Sequence, residues 1–417
     1  MDTIPPELLR EILQFSTLPH YLEDRSSSEF HTPEQRKAKW SLVLVCEKWR
    51  VLATEILYQD VLIDHRAQGL LEALERSARD YGTSGYGPYG RWIRRITLLN
   101  MQQSPVRFAH ILQYCPQLEI LVKGYDVDNS RNGDLYFWQD ILHIRPESSP
   151  PPLSSLRKIS WVGTSSPMME YPYYEDLDRL RLSEIILHSP NLRTLSLRMR
   201  RGEFKLFSRP TCRQPDTIPF PSLEKITLNM GFPKFARMGL ELADMPKVTH
   251  LAIYPHIDGI GILENVLFLK TQLQIVEILP TRLVVQFPII SCILRVCPDL
   301  RQLIYHIDSV TIDPGKLIPH SSLTCVRLCH DPERWSAQQP RQTAPEPYES
   351  TWASYESSWI SLRSHFAVFA GPVFPALERV VLQGEWNPTV SNVRFHSLRA
   401  SLHERGCRLE YMDGTPV

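Results

Sequence analysis

Ile186-Leu187-His188-Ser189-Pro190-Asn191-Leu192-Arg193-Thr194-Leu195-Ser196-Leu197 reads as the end of a helix, a turn and the start of a strand. Pro190 cannot continue a helix, because it lacks the backbone N–H and its ring clashes with the preceding turn. Beyond it Leu192, Leu195 and Leu197 follow the spacing apolar-x-x-apolar-x-apolar, whose last two members share one face of a strand. The same spacing returns at Ile93/Ile96/Leu98, Leu156/Ile159/Trp161, Leu223/Ile226/Leu228, Val248/Leu251/Ile253, Leu273/Val276/Ile278, Leu300/Leu303/Tyr305, Leu323/Val326/Leu328 and Leu377/Val380/Leu382. Leu118 and Leu121 begin a further copy whose third position is Lys123. The helix-end phrase also returns, from Ile111 through Cys115-Pro116 to Leu118 and from Ile293 through Cys297-Pro298 to Leu300. One copy would mean little in any core, but this many in the same context constitute an internal repeat.

First positions step by 25 residues from Leu223 to Val248, 25 to Leu273, 27 to Leu300 and 23 to Leu323. Steps of 38 from Leu118 to Leu156 and 54 from Leu323 to Leu377 imply insertions. A unit of this length cannot cover its own apolar face, so neighbours stack and share a core. The pattern resembles a leucine-rich-repeat array. That resemblance implies an α/β fold in which residues 91–417 form a leucine-rich-repeat-like solenoid, with a parallel sheet on the concave side and helices or loops on the convex side. The Asn that usually follows the third apolar position is missing in most copies, so the expected array is irregular. Loop insertions are expected near 163–177 and 330–362.

Residues between the core positions are expected to face outward from the sheet: Lys158, Ser160, Thr194, Ser196, Arg198, Lys225, Thr227, Asn229, His250, Tyr254, Gln302, His306, Arg327, Arg379 and Gln383. A polar set with aromatic and basic members suits protein recognition. Arg198, Lys225, His250, Tyr254, His306 and Arg327 are the candidate contacts to a protein substrate, against the plainer reading of a solvated face that binds nothing. Tyr171, Tyr173 and Tyr174 in the first insertion, and Trp335, Trp352 and Trp359 in the second, would add contacts if exposed. The second insertion has the composition of a mobile loop.

Residues 1–65 read differently, as a small all-α module. Pro5-Pro6 suits a helix start, where a missing N–H costs nothing, and Leu8, Leu9, Ile12 and Leu13 follow on one face. A second helix is expected from Thr32, with Pro33 at its first position and Gln35 completing a capping box, to about Leu57. Along it Leu42, Val45, Cys46, Trp49 and Leu52 form an apolar stripe. Two short helices cannot bury both stripes in each other. Either the rest of the chain covers the remainder, or a partner protein receives it in a groove.

Ile4-Pro5-x-Glu7-Leu8-x-x-x-Ile12-Leu13, followed by Leu42-x-x-Val45-Cys46-x-x-Trp49-Arg50, resembles the F-box motif. The resemblance covers about 50 of the 417 residues, and departs from the family in a longer, more polar connection over 14–39 that includes Ser26-Ser27-Ser28. It implies docking on the Skp adaptor, and through it on a cullin, by Ile4, Pro5, Leu8, Leu9, Ile12, Val45, Cys46 and Trp49. The function so implied is substrate recognition for a Skp-cullin-F-box ubiquitin ligase. The alternative is a leucine-rich-repeat interaction scaffold whose amino-terminal helices only cap the array and which has no ubiquitin role. Residues 66–90, a helix and a Tyr/Gly linker, join the two parts.

Composition narrows the remaining classes. At 43% hydrophobic and 22% charged the chain can bury a large interior, and 46 basic residues balance 46 acidic ones without a dense basic stripe, which argues against nucleic acid and anionic membranes as partners. The eight cysteines show no zinc spacing, and the chain has no run of apolar residues long enough to span a membrane. Met1 to Leu13 lacks the form of a signal peptide, so a reducing compartment, cytoplasmic or nuclear, is expected. Gly85-x-Gly87-x-x-Gly90 has the letters of a dinucleotide loop but precedes a strand instead of opening a helix. Asp126-x-Asp128 lacks the twelfth-position Glu of a calcium loop, since Phe137 stands there. No metal, cofactor or catalytic role is expected; an enzyme with a dispersed site would need a deep pocket gathering perturbed titratable groups.

Overall fold

Every apolar-x-x-apolar-x-apolar copy forms a strand in the computed structural model, which describes residues 5–17, 37, 41–63, 67–84, 88–98, 108–123, 152–163, 182, 185–199, 220–228, 245–254, 266–280, 288–307, 309–330 and 349–417. The chain divides into two units, residues 1–196 with 209–222, and residues 197–208 with 223–417. Both are α/β, and strands adjacent in sequence pair in parallel within each.

The first unit opens with helix α1 (Pro6–Thr17) and helix α2 (Glu47–Gln59), which runs directly into strand β1 (Asp60–Ile63). Helix α3 (Ala67–Ser84) and a 3-10 turn at Tyr89–Trp92 lead to β2 (Arg95–Leu98). The short helix α4 (Phe108–Leu112), β3 (Ile120–Lys123) and β4 (Lys158–Gly163) follow. β1 pairs with β2, β2 with β3 and β3 with β4. β5 (Thr194–Met199) lies at the division between the units.

In the second unit the strands are β6 (Lys225–Leu228), β7 (His250–Ile253), β8 (Ile275–Ile278), β9 (Gln302–His306), β10 (Cys325–His330), β11 (Arg379–Gly384) and β12 (Arg408–Tyr411). Helices α5 (Ile289–Val296), α6 (Glu349–Ala370), α7 (Asn387–Val390) and α8 (Val393–Glu404) lie between the later strands. The register places Ile226, Leu251, Val276, Leu303, Val326, Val380 and Leu409 in one row. All seven are buried, as are Leu228, Ile253, Ile278, Tyr305, Leu328 and Leu382 in the next row. Each large apolar side chain so buried stabilises the fold by roughly 1.5–3 kcal/mol.

The turn before five of the strands is built alike. The first core residue donates its N–H to the carbonyl three residues earlier: Leu118 to Cys115, Leu192 to Ser189, Val248 to Met245, Leu300 to Cys297 and Leu377 to Phe374. Proline stands second in all five turns, at 116, 190, 246, 298 and 375, where its fixed φ matches the turn. The next two N–H groups both donate to one carbonyl of the preceding unit, as Thr249 and His250 do to Glu224 and Arg301 and Gln302 do to Gln274.

Several expectations change. The 1–65 stretch is not wholly helical, because Asp60-Val61-Leu62-Ile63, rich in β-branched and apolar residues, pairs with β2. The single helix expected from Thr32 to Leu57 is interrupted. Leu44 and Val45 donate N–H groups three residues back, to Ser41 and Leu42, Cys46 is extended, and α2 begins at Glu47. The β-branched Val43 and Val45 weaken the helix there. Part of the expected insertion 330–362 is α6, with Trp359 buried at its core-facing side. Trp335, Asn229, the tyrosines of the 163–177 insertion and Asp126 with Asp128 lie outside the described residues, as do the side chains of Trp352 and Gln35. Lys123 fills the third core position of its repeat despite its charge; it is 1% exposed, with its ammonium 4.7 Å from the centre of the Trp161 ring.

Gly90, the last glycine of the Tyr/Gly linker, is buried because backbone passes against it: a Cβ at this position would sit 1.9 Å from the Tyr114 carbonyl oxygen. Gly90→Ala is therefore expected to cost about 3 kcal/mol, read as a fall of several degrees in Tm. An unchanged Tm would show that this approach is not kept in solution.

Candidate functional site

Two surfaces are candidates for a functional site, and each belongs to one unit. In the second unit, alternation along the strands sends Lys225, Thr227, His250, Ala252, Tyr254, Glu277, Ile304, His306 and Arg327 to the face opposite the core rows. Five of the six candidate substrate contacts, Lys225, His250, Tyr254, His306 and Arg327, thus share this face and are half-buried. Arg198 lies on β5, and its side chain is outside the described residues.

The face is organised around a residue that the repeat pattern did not single out. Glu277 on β8 accepts from the Lys225 ammonium at 3.0 Å and lies 3.2 Å from His250 Nε2. Lys225 stands on β6, so its ion pair crosses β7, and the small Ala252, in register between Thr227 and Glu277, leaves room for it. Ala252 and Thr227 are buried beneath these longer side chains. Thr227 and Ser196, expected to face outward from the sheet, are short enough to be buried. The signal for Glu277 was its place between Val276 and Ile278, an outward position like the others.

Burial works against a charge on Glu277, yet the hydrogen bond from His250 and the charge of Lys225 outweigh it and hold the carboxyl down at about 2. Arg327 stands in register between Ile304 and Val381, flanked along its own strand by Cys325 and Cys329. Its Nε is buried without a hydrogen-bond acceptor. Burial pushes the Cys329 thiol up to about 12, helped by the charge of Glu277, and raises Cys325 as well. Neither supplies a thiolate near neutral pH. The arrangement holds the Lys225 ammonium and the His250 ring against one compensated carboxylate.

The second surface is the helix pair of the first unit. Leu9, Leu13, Leu52 and Ile56 close a small core, with Leu42 and Trp49 packed against it, and Arg10 reaches Glu55 at 3.3 Å. α1 carries two pairs of apolar residues one turn apart, and α2 covers only Leu9 and Leu13. Leu8 and Ile12 remain 52% and 54% exposed, and Val45 and Leu44 at the break before α2 are 54% and 81% exposed. Pro5 and Cys46 are exposed as well. Of the eight residues assigned to Skp docking, Pro5, Leu8, Ile12, Val45 and Cys46 are open, Trp49 is half-buried, Leu9 belongs to the internal core, and Ile4 lies outside the described residues. Leu44 was missed because a continuous helix would have turned it away from the stripe.

The other end of α2 joins the sheet: Tyr58 stacks on Tyr89 with ring centres 4.7 Å apart, and Arg94 donates its N–H to the Gln59 carbonyl. Among the described residues no group of three or more His, Cys, Asp or Glu side chains is placed to hold a metal ion, and no helix is long and apolar enough to cross a membrane. No protein-family model matches the chain, and no curated protein matches it.

The Glu277 cluster has a pH signature. Its value in the fold lies below the ordinary 4.5, so its stabilising contribution is complete above about pH 4.5 and is lost as pH falls toward 2. The full contribution is roughly 3 kcal/mol. Glu277→Gln is expected to lower Tm at neutral pH and to flatten the decline of Tm across that window. A decline as steep as in the wild type would show that Glu277 is not ionised against Lys225 and His250.

Proposed function

We propose that this chain is the substrate-recognition subunit of a Skp-cullin-F-box ubiquitin ligase. Its amino-terminal helices dock on the Skp adaptor, and the sheet face bearing Lys225, His250, Glu277 and Arg327 contacts a protein substrate. The observation that carries the reading is the divided apolar stripe. Leu9, Leu13, Leu52 and Ile56 suffice to hold the helix pair together, while Leu8, Ile12, Leu44 and Val45 stay open. A helix pair that served only as a cap would bury them; four open side chains of this size on one helix pair suit a partner's groove.

On this reading the chain is a non-catalytic adaptor and acts by proximity. Holding a substrate beside the transfer machinery raises the effective concentration of its lysines there, so no nucleophile or acid–base pair is required. A second reading, the repeat scaffold with an amino-terminal cap, draws on the direct run of α2 into β1 and the Tyr58–Tyr89 stack. The two differ in what covers Leu8 and Val45.

Purified Skp adaptor is expected to bind the folded wild-type chain, and Leu8→Asp/Val45→Asp to weaken binding by about 100-fold or more, since each apolar side chain withdrawn from a groove costs about 1.5 kcal/mol or more. Far-UV circular dichroism should be unchanged in that variant, because neither side chain belongs to the internal core. Absence of binding by the folded wild type, or equal binding by the variant, would overturn the ligase reading and leave the scaffold.

A further inference from the structure

The last strand of the second unit carries an edge that the chain closes by itself. Arg408 and Glu410 turn their backbone groups toward β11, as the bond from Arg408 N–H to the Glu378 carbonyl shows. Leu409 and Tyr411 therefore present theirs on the far side, away from β11, the strand that β12 pairs with. Such an edge is a template for pairing with another chain. Here the five residues after Met412 return along it. Tyr411 N–H donates to the Thr415 carbonyl at 2.8 Å, Gly414 N–H donates to the Tyr411 carbonyl at 2.9 Å, and Val417 N–H donates to the Leu409 carbonyl at 3.0 Å. Glu410 and Pro416 form an antiparallel bridge.

The reversal is specified locally. Asp413 Oδ1 accepts from Thr415 N–H at 3.0 Å and from Thr415 Oγ1 at 2.6 Å, and Gly414 takes φ +84°, a conformation other residues adopt at a cost. Pro416 has no N–H to offer outward, so the returning segment does not itself become a good template. Three of the outward backbone groups of β12 are thus satisfied by a segment that contributes no repeat of its own.

We infer that residues 413–417 are a clasp over the β12 edge, and that this edge is a latent association surface whose partner is a second copy of the chain. The clasp lies antiparallel to β12, and the same orientation arises when two β12 edges meet about a two-fold axis. Centred on Leu409, that pairing sets Arg408 of each copy opposite Glu410 of the other, a charge-complementary register. The inference is independent of the ligase reading and holds equally for a scaffold.

Light scattering after size exclusion tests it. The wild-type chain is expected at monomer mass, with the Tyr411 and Val417 amides protected in hydrogen exchange. A chain ending at Met412, and separately Gly414→Val, are expected to shift toward twice that mass as concentration rises, with far-UV circular dichroism preserved. Adding Tyr411→Pro, which deletes an outward N–H and spares the β11 pairing, should return both to monomer mass. Should the shortened chain fail to fold, Gly414→Val and the wild-type exchange data decide. Unprotected Tyr411 and Val417 amides, a folded variant that stays monomeric, or association that Tyr411→Pro does not reverse would each overturn the clasp.

Discussion

A carbonyl shared between two N–H groups ties successive repeats together along most of the second unit. The Glu224 oxygen receives Thr249 and His250, the Thr249 oxygen receives Gln274 and Ile275, and the Gln274 oxygen receives Arg301 and Gln302. Each of these carbonyls belongs to the residue just after the first core leucine or valine of its repeat. The turn that ends one helix therefore also sets the register of the strand that follows it. With register set, the side-chain period of two sends the second and third core positions to the same face in every unit, and one apolar row forms without further instruction. A slip of one residue would carry Ile226, Leu251 and Val276 to the opposite face and Lys225, His250 and Glu277 into the core. The cost of burying those charges keeps the register single.

The same constraint explains what the ends must do. An interior strand has a neighbour on each side, whereas the first and last have one. α2 feeds straight into β1, so the chain enters the sheet from a helix, and Tyr58 continues the contact by stacking on Tyr89. At the other end residues 415–417 occupy the outward side of β12. Neither device needs a special core. The second uses the backbone groups that the ladder leaves over on β12, which is why a short segment suffices.

Much of this was legible because the repeat writes its core three times per unit. Leu192, Leu195 and Leu197 specify a strand by spacing alone, and Pro190 marks where it starts. Lys123 was harder: a lysine at a core position breaks the letter of the pattern, and the Trp161 ring opposite it on β4, over which its ammonium lies, is not marked by the spacing. β1 and β12 were not legible as repeats, since Asp60–Ile63 follows a helix without a turn and β12 has Gly406 where a leucine would stand. Glu277 was invisible for a different reason. Its partners Lys225 and His250 are 52 and 27 residues away in the chain, and nothing local distinguishes it from any polar residue on a strand. The break at Leu44 to Cys46 shows the opposite limit, in which the apolar periodicity runs on through a helix that the backbone ends.

The two candidate surfaces differ in the kind of contact they can make, and that difference gives the ligase proposal its internal logic. On the helix pair the open groups are aliphatic, so association there gains by removal from water and is insensitive to salt. On the sheet face the long side chains are polar and partly committed to one another: Glu277 is held by Lys225 and His250, which fixes the ammonium and the imidazole in position before any partner arrives. Fixing them in advance lowers the ordering cost of a contact. It also limits gain, because a partner carboxylate must compete with Glu277 for the same ammonium. An adaptor needs one permanent partner and one that leaves after modification, and an apolar dock on one unit with a pre-paired polar face on the other would meet those requirements with different physics at each surface.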